Sequence, residues 1–286
     1  MARLLRLLLP TFRFWFETEP HVYAISISAF ALLSFFPFLI VMVSSFVYVL
    51  KWTAAVDAVF LALRDYFPDE LGTFVRLNLM ATVWQRGPAQ FVSLILLLLT
   101  ANGIFMPLEV ALNKLWRVPA NRSYLKNQLI SIALIFLSGG AAVLSILLTA
   151  ANQQFIRDRL GVNPVSAFFT VFFFKASAIP LTIGVLFLIY WKLPNAKLPA
   201  AVNVQAAIYV GLALEALKYL YLLVWPWLIA KLAREYGPFK YSVSLILFGF
   251  FAAMLVLAGA EWASRTHREK AAGQQPTSPL GLAANS

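Results

Sequence analysis

The 286-residue chain has no cysteine, two histidines and twelve acidic residues, and only 12% of its residues are charged. Without cysteine there is no disulfide frame, no thiol nucleophile and no thiolate metal site. The only imidazoles, His21 and His267, lie at opposite ends of the sequence. No Gly-rich lysine loop of the ATP-binding kind occurs, and there is no soluble portion to hold one, so any transport is passive, ion-coupled or dependent on a partner. The scarcity of charge, against roughly 25% in an ordinary soluble domain, stands beside 61% hydrophobic residues. That balance reads as a membrane protein of class all-α, with neither catalytic residues nor a cofactor written into it.

What charge there is runs basic, a formal +11. The Lys and Arg residues are scattered along loops and helix ends rather than gathered on one domain face, which points to anionic membrane lipids as partners and away from nucleic acid.

Six apolar segments read as spans: Val22 to Leu50, Pro88 to Met106, Gln128 to Ala150, Ser166 to Trp191, Val204 to Ile229 and Tyr241 to Ala263. Each reaches or approaches the roughly 20 residues that cross a 30 Å hydrocarbon layer. The second ends at Pro107, although a membrane helix tolerates proline and can continue through Leu108 to Trp116. With the N-terminus cytoplasmic, inside segments carry twelve Lys and Arg and outside segments nine. The bias favours both termini inside.

Before the first span, Arg3, Arg6, Arg13 and Glu17 fall within about 80° of one helix face, as in a helix lying in the headgroup layer. Between spans one and two, Val56, Val59, Phe60, Leu63 and Phe67 recur at helical spacing with Asp57, Arg64 and Asp65 opposite; Pro68 and Asp69 then start a second amphipathic stretch. This predicts a helical hairpin capping one membrane face, its polar side carrying Asp57, Asp65, Asp69 and Glu70. The parts are then an interfacial arm (1–21), a six-helix transmembrane domain (22–263) and a disordered cytoplasmic tail (264–286), the last rich in Gly, Pro, Ser and Gln.

Three charges interrupt the apolar runs: Lys175 in span four, and Glu215 and Lys218 in span five. An ionisable group at bilayer depth is costly and faces the bundle interior or a wet cavity. Spans four and five are sequence neighbours and expected antiparallel. By rise, Lys175 lies roughly 14 Å from the start of its span and Glu215 roughly 20 Å from the end of its own, depths compatible with an interhelical pair. Lys218, three residues after Glu215, can pair within the helix instead. The bland reading is a buried pair fixing helix register. The functional reading is a polar pathway whose net positive charge attracts an anionic group such as a phosphate.

If span two continues through Pro107, Asn102, Glu109 and Asn113 form a stripe within about 40°; alternatively, Glu109 caps or pairs outside the bilayer. Pro37 would kink span one or free a backbone carbonyl for a ligand. Near the end of span six, Glu261 is expected as an interfacial carboxylate paired to Arg265, one turn on. Small residues at four-residue spacing, Ala24 with Ser28, Ser138 with Ala142, Ala207 with Gly211 and Gly249 with Ala253, let helix backbones approach closely. Trp191, Trp225, Trp227 and Trp262 sit at span ends as an interfacial belt would.

The stretch from Tyr23 through Pro37 to Leu39 resembles the opening span of the YihY/BrkB family of bacterial inner-membrane proteins. Asn102-Gly103, Leu108-Glu109, Asn113 to Trp116, Leu193-Pro194-Asn195, Tyr236-Gly237 and Gly259-Ala260-Glu261 follow in the family's order, covering nearly the whole chain. The resemblance implies six helices in the bacterial inner membrane with both termini cytoplasmic. Family members have carried the labels of tRNA-processing ribonuclease and serum-resistance factor. The first finds no footing here, because metal-dependent nucleases need clustered carboxylates or histidines holding ions about 4 Å apart. The expected function is a transporter or lipid translocator for an anionic amphiphile or solute, with Lys175, Glu215 and Lys218 on its path and Asn102, Glu109, Asn113 and Pro37 as further lining. The rival is a structural scaffold of the envelope. Six helices could form a monomeric pathway or one part of a homo-oligomer.

Overall fold

The computed structural model describes residues 19–84, 88–118, 124–160, 164–196 and 198–273, so the expected interfacial arm from Met1 to Phe16 and most of the expected tail lie outside the described residues. The described residues are helical throughout, with helices α1 (Pro20–Ser44), α2 (Thr53–Tyr66), α3 (Asp69–Trp84), α4 (Pro88–Leu115), α5 (Tyr124–Leu160), α6 (Pro164–Lys192), α7 (Ala200–Tyr236) and α8 (Lys240–Gly273). Five of the six expected apolar segments lie within one of the long helices, and the first, Val22 to Leu50, runs through α1 and the π turn that follows it to end one residue beyond. Among the described residues, four runs are long and apolar enough to cross a membrane: Pro20–Val49, Lys126–Asn152, Phe168–Lys192 and Ala200–Ala271, the last containing both α7 and α8. The chain reverses between those two at Gly237, whose φ of +52° strains any side-chain-bearing residue. α8 continues to Gly273 beyond the expected boundary at Ala263, so the first part of the expected tail is helix, not disorder.

Proline does not break the long helices. α1 passes through Pro37 and ends in a π-helical turn, Ser45–Val49; α4 passes through Pro107 to Leu115, the continuation that places Asn102, Glu109 and Asn113 on one helix. The outer surface is a skin of exposed apolar side chains, among them Leu99, Phe136, Phe172, Leu212 and Leu223. A soluble protein rarely leaves such a contiguous face bare, whereas lipid covers it without cost.

α1 packs against α4 and α8, α7 against α8 and α6, and α6 against α5. Two cores result. One joins Ala24, Leu112, Leu193, Ala207 and Leu257 at the end of the bundle where α1 starts and α8 finishes. Small residues close it: a Cβ on Gly103 would run into the Phe30 ring, one on Gly249 would stand 3.1 Å from the Ser28 side chain, and one on Gly211 would stand 2.8 Å from Ile183. Hydrogen bonds tie the same end together, from the Asn195 N–H to Asn113 Oδ1 (2.7 Å) and from Ser264 Oγ to the Leu115 carbonyl (2.8 Å).

The second core, at the opposite end, is built around the α2–α3 hairpin. Val59, Leu63, Phe67, Leu71, Val75 and Leu79 bury against Val43 and Phe46 of the first helix and its π turn, Ile146 and Ala150 of α5, and Tyr221 and Trp225 of α7. The hairpin forms as expected, and its two helices pack into the bundle. Its base is held at the bundle end, where Tyr48 donates to the Val83 carbonyl at 2.8 Å. Its tip enters the bundle, with Phe67 edge-on to Phe35 of α1. Trp225 is correspondingly buried in this core rather than standing in an interfacial belt, whereas Trp227 is exposed.

Candidate functional site

The hairpin tip carries Asp65 into contact with the three charges of α6 and α7. Lys218 Nζ lies 2.6 Å from Asp65 Oδ2 and 2.5 Å from Glu215 Oε1. Lys175 Nζ lies 3.3 Å from Asp65 Oδ1 and 3.4 Å from the same Glu215 oxygen. Two lysines and two carboxylates thus alternate around a square. Lys175 also donates to the Tyr219 hydroxyl, and the Tyr66 and Tyr219 rings lie 5.1 and 4.7 Å from Lys218 Nζ. Lys218 stands midway along α7, where only well-placed opposite charge and aromatic faces offset its lost hydration.

The expected pairing of Lys175 with Glu215 across helices is therefore present, and Glu215 is shared by both lysines. Asp65 corrects the charge count. With it the square is formally neutral, and the anticipated excess of positive charge is absent from the resting arrangement. Asp65 had been placed on the polar face of the hairpin. Two of that face's members, Asp57 and Glu70, are indeed exposed, but Asp65 turns inward beside Ala58 and Ala62. Those alanines are the signal that could have found it, since Ala58 is fully buried and Ala62 faces an internal cavity: small residues on one side of a helix mark a close approach as surely as large ones mark a core.

The two lysines differ in exposure. The Lys218 side chain is 1% exposed and that of Lys175 27%. Lys175 has the longer ion contacts and the greater access of the two. It borders a cavity of about 160 Å³ together with Asp65, Tyr66, Thr182, Glu215 and Phe248. Next to it, a cavity of about 450 Å³ extends between α1, the hairpin, α5 and α6, lined by Phe35, Met42, Leu63, Ala142, Ile146 and Leu181 among others. Tyr66, Ala178 and Thr182 line both.

A family model described as virulence factor BrkB matches residues 13–280. The chain belongs to the BrkB family. Together with the apolar, outward-facing helices, membership identifies an integral membrane protein. No curated protein matches this BrkB chain, and no solved structure matches it.

The remaining candidates of this BrkB protein fall elsewhere. Glu109 and Asn113 are buried and line a separate cavity of about 80 Å³ with Asn127, Gln128 and Ser131. Asn113 is engaged by the Asn195 backbone, a tie between α4 and the α6–α7 connection. Asn102 lies in α4 with its side chain outside the described residues. Pro37 does not line the large cavity, although its neighbours Phe35 and Phe38 do. Ser34 donates to Ala31 rather than to the carbonyl that Pro37 leaves free. Of the small-residue pairs, Ser28 and Gly211 close helix contacts, whereas Ser138 and Ala142 leave room for the large cavity. Glu261 pairs with Arg265 at 3.1 Å as expected. One turn on, Arg268 donates to Ser264 Oγ and the Leu115 carbonyl; desolvation first, and then the like charge of Arg117, lowers its guanidinium from the ordinary value. Among the described residues, no three His, Cys, Asp or Glu side chains converge as metal ligands would.

Proposed function

We propose that this BrkB protein is a six-span transporter or lipid translocator of the bacterial inner membrane, both termini cytoplasmic, which moves an anionic amphiphile or solute past Lys175, Glu215 and Lys218 without chemical conversion. The observation that carries this reading is the ion square at the mid-length of α7, reached from the opposite end of the bundle by a hairpin tip and bordered by cavities. In this arrangement the hairpin belongs to the outer leaflet side, and backbone at that depth is tolerated because it is enclosed by protein. Buried ionisable groups that border open volume mark substrate and proton pathways more often than simple packing. A substrate anion would displace Asp65 from Lys175, and the hairpin tip would lose one of its two ionic anchors. Anionic lipids are the partner class, in keeping with the +11 formal charge.

A second reading is favoured by the neutrality of the same square, because alternating charges that satisfy one another also lock helix register. On that reading the protein is a scaffold of the envelope. Reconstitution in liposomes with fluorescent anionic and zwitterionic lipids separates the two. Glu215→Gln and Lys175→Met, at folded yield matched to wild type, abolish lipid movement if the charges lie on the path. Wild-type movement that both substitutions leave unchanged would overturn the assignment, and loss of folded protein without a change in movement per folded molecule would favour the scaffold.

A further inference from the structure

Resting on the transport reading above, we propose that the two adjoining cavities form one binding site for a single-chain anionic amphiphile, its charged head at Lys175 and its hydrocarbon chain in the large cavity. The large cavity, about 450 Å³, falls within the roughly 300–1,000 Å³ of small-molecule sites. Its walls are mostly hydrocarbon: Phe38, Leu39, Met42, Ile146, Leu181 and Leu186. Two of its hydroxyls are spoken for, since Ser138 donates to the Leu134 carbonyl (2.6 Å) and Thr182 to the Ala178 carbonyl (3.0 Å), which leaves Ser145 and Tyr66 among otherwise apolar side chains. Little remains there to bind a hydrated solute, and an apolar chain is what such walls accept. The smaller cavity adds the charges, with Lys175, Asp65 and Glu215 on a wall otherwise built mostly of apolar residues such as Ile179, Leu214 and Phe248.

Adjacency joins the pair in this proposal. Tyr66, Ala178 and Thr182 belong to both linings, so only these side chains stand between a chain in the large cavity and the cavity that Lys175 borders. Charge complementarity selects the head. Lys175 is the more accessible lysine, and the ammonium it would present to a phosphate or carboxylate is now held by Asp65 and Glu215 at 3.3 and 3.4 Å. Lys218, enclosed and closer to both acids, stays with them and keeps the two carboxylates from being left unpaired. A cationic head would have to be met by Asp65 and Glu215, each of which both lysines already hold.

The test titrates the purified full-length protein in maltoside detergent with monododecyl phosphate, inorganic phosphate and dodecanol, read by calorimetry. Monododecyl phosphate is expected to bind at least tenfold more tightly than either inorganic phosphate or dodecanol. Lys175→Met, which removes the head contact, and Ala142→Phe, which fills the chain cavity, should each weaken it at least tenfold. Ala141→Leu, on the same wall, serves if Ala142→Phe does not fold. Equal binding of dodecanol would mean an unselective lipid-filled void, equal binding of inorganic phosphate would mean a solute site, and indifference to the filling substitution would place the chain elsewhere; each overturns the proposal. Binding as expected without lipid movement in liposomes would remove the transport reading and leave the site standing. Movement that depends on Lys175 but not on the filling substitution would do the reverse.

Discussion

The two ends of this bundle use the same helices to opposite purposes. At the end holding Ala24, Leu112 and Leu257, glycines and alanines bring backbones together, and Asn113 and Ser264 spend their hydrogen-bonding capacity on neighbouring chain segments. At the other end a hairpin is wedged between the same helices, and the gap it fills incompletely becomes the two cavities and the ion square. Close packing leaves little room there, the cavity beside Glu109 and Asn113 being only about 80 Å³, and a cavity forgoes packing energy. The difference teaches where to look for activity: the closed end holds the fold, and on the function proposed above the hollow end gives up some stability to hold a substrate.

The largest effect that would sharpen this contrast is expected from Lys218→Met. It leaves Asp65 and Glu215 sharing one lysine, and breaking a buried pair from one side costs about 3–5 kcal/mol; thermal melting in detergent should show a marked loss of folded protein. Next comes a matched pair of glycine substitutions. Gly103→Val drives a side chain into the Phe30 ring at the closed end, and overpacking of this kind costs about 1–3 kcal/mol. Gly140→Val, where no atom stands within 4 Å of the added Cβ, should change the melting midpoint little. Equal effects from the two would break the contrast.

Smaller still is Ser264→Ala, which removes the hydroxyl that caps the Leu115 carbonyl and should cost about 1 kcal/mol with no effect on lipid movement. Ala142→Leu at the hollow end is expected to leave melting unchanged or slightly raised, since it fills space, while reducing lipid movement several-fold. A loss of stability there would mean that the cavity is smaller or more rigid than its lining implies.

The long helices were legible because lipid demands unbroken apolar runs, and the Lys175–Glu215 contact was legible because charges at compatible depths on adjacent antiparallel helices have few other partners. The hairpin helices were legible from their spacing, but their destination was not. An amphipathic pattern says which face is apolar and not whether water, lipid or protein lies opposite, so Asp65 was grouped with Asp57 and Glu70 although those two stay exposed and Asp65 turns to the lysines. Asn113 shows the same limit from the other side. A polar residue on a helix stripe suits a pathway or a backbone tie equally, and only the position of Asn195 decides between them. Trp225 sits at a span end by count, yet it is buried in a core shared with a hairpin some 160 positions earlier in the chain, which no local pattern reports.

The central claim, that activity resides at the hollow end, is tested most directly by lipid movement in liposomes carrying either Lys175→Met or Ser264→Ala at equal amounts of folded protein. The account predicts that Lys175→Met abolishes movement and Ser264→Ala leaves it at the wild-type rate. Unchanged movement in Lys175→Met, or equal loss in both, would contradict it.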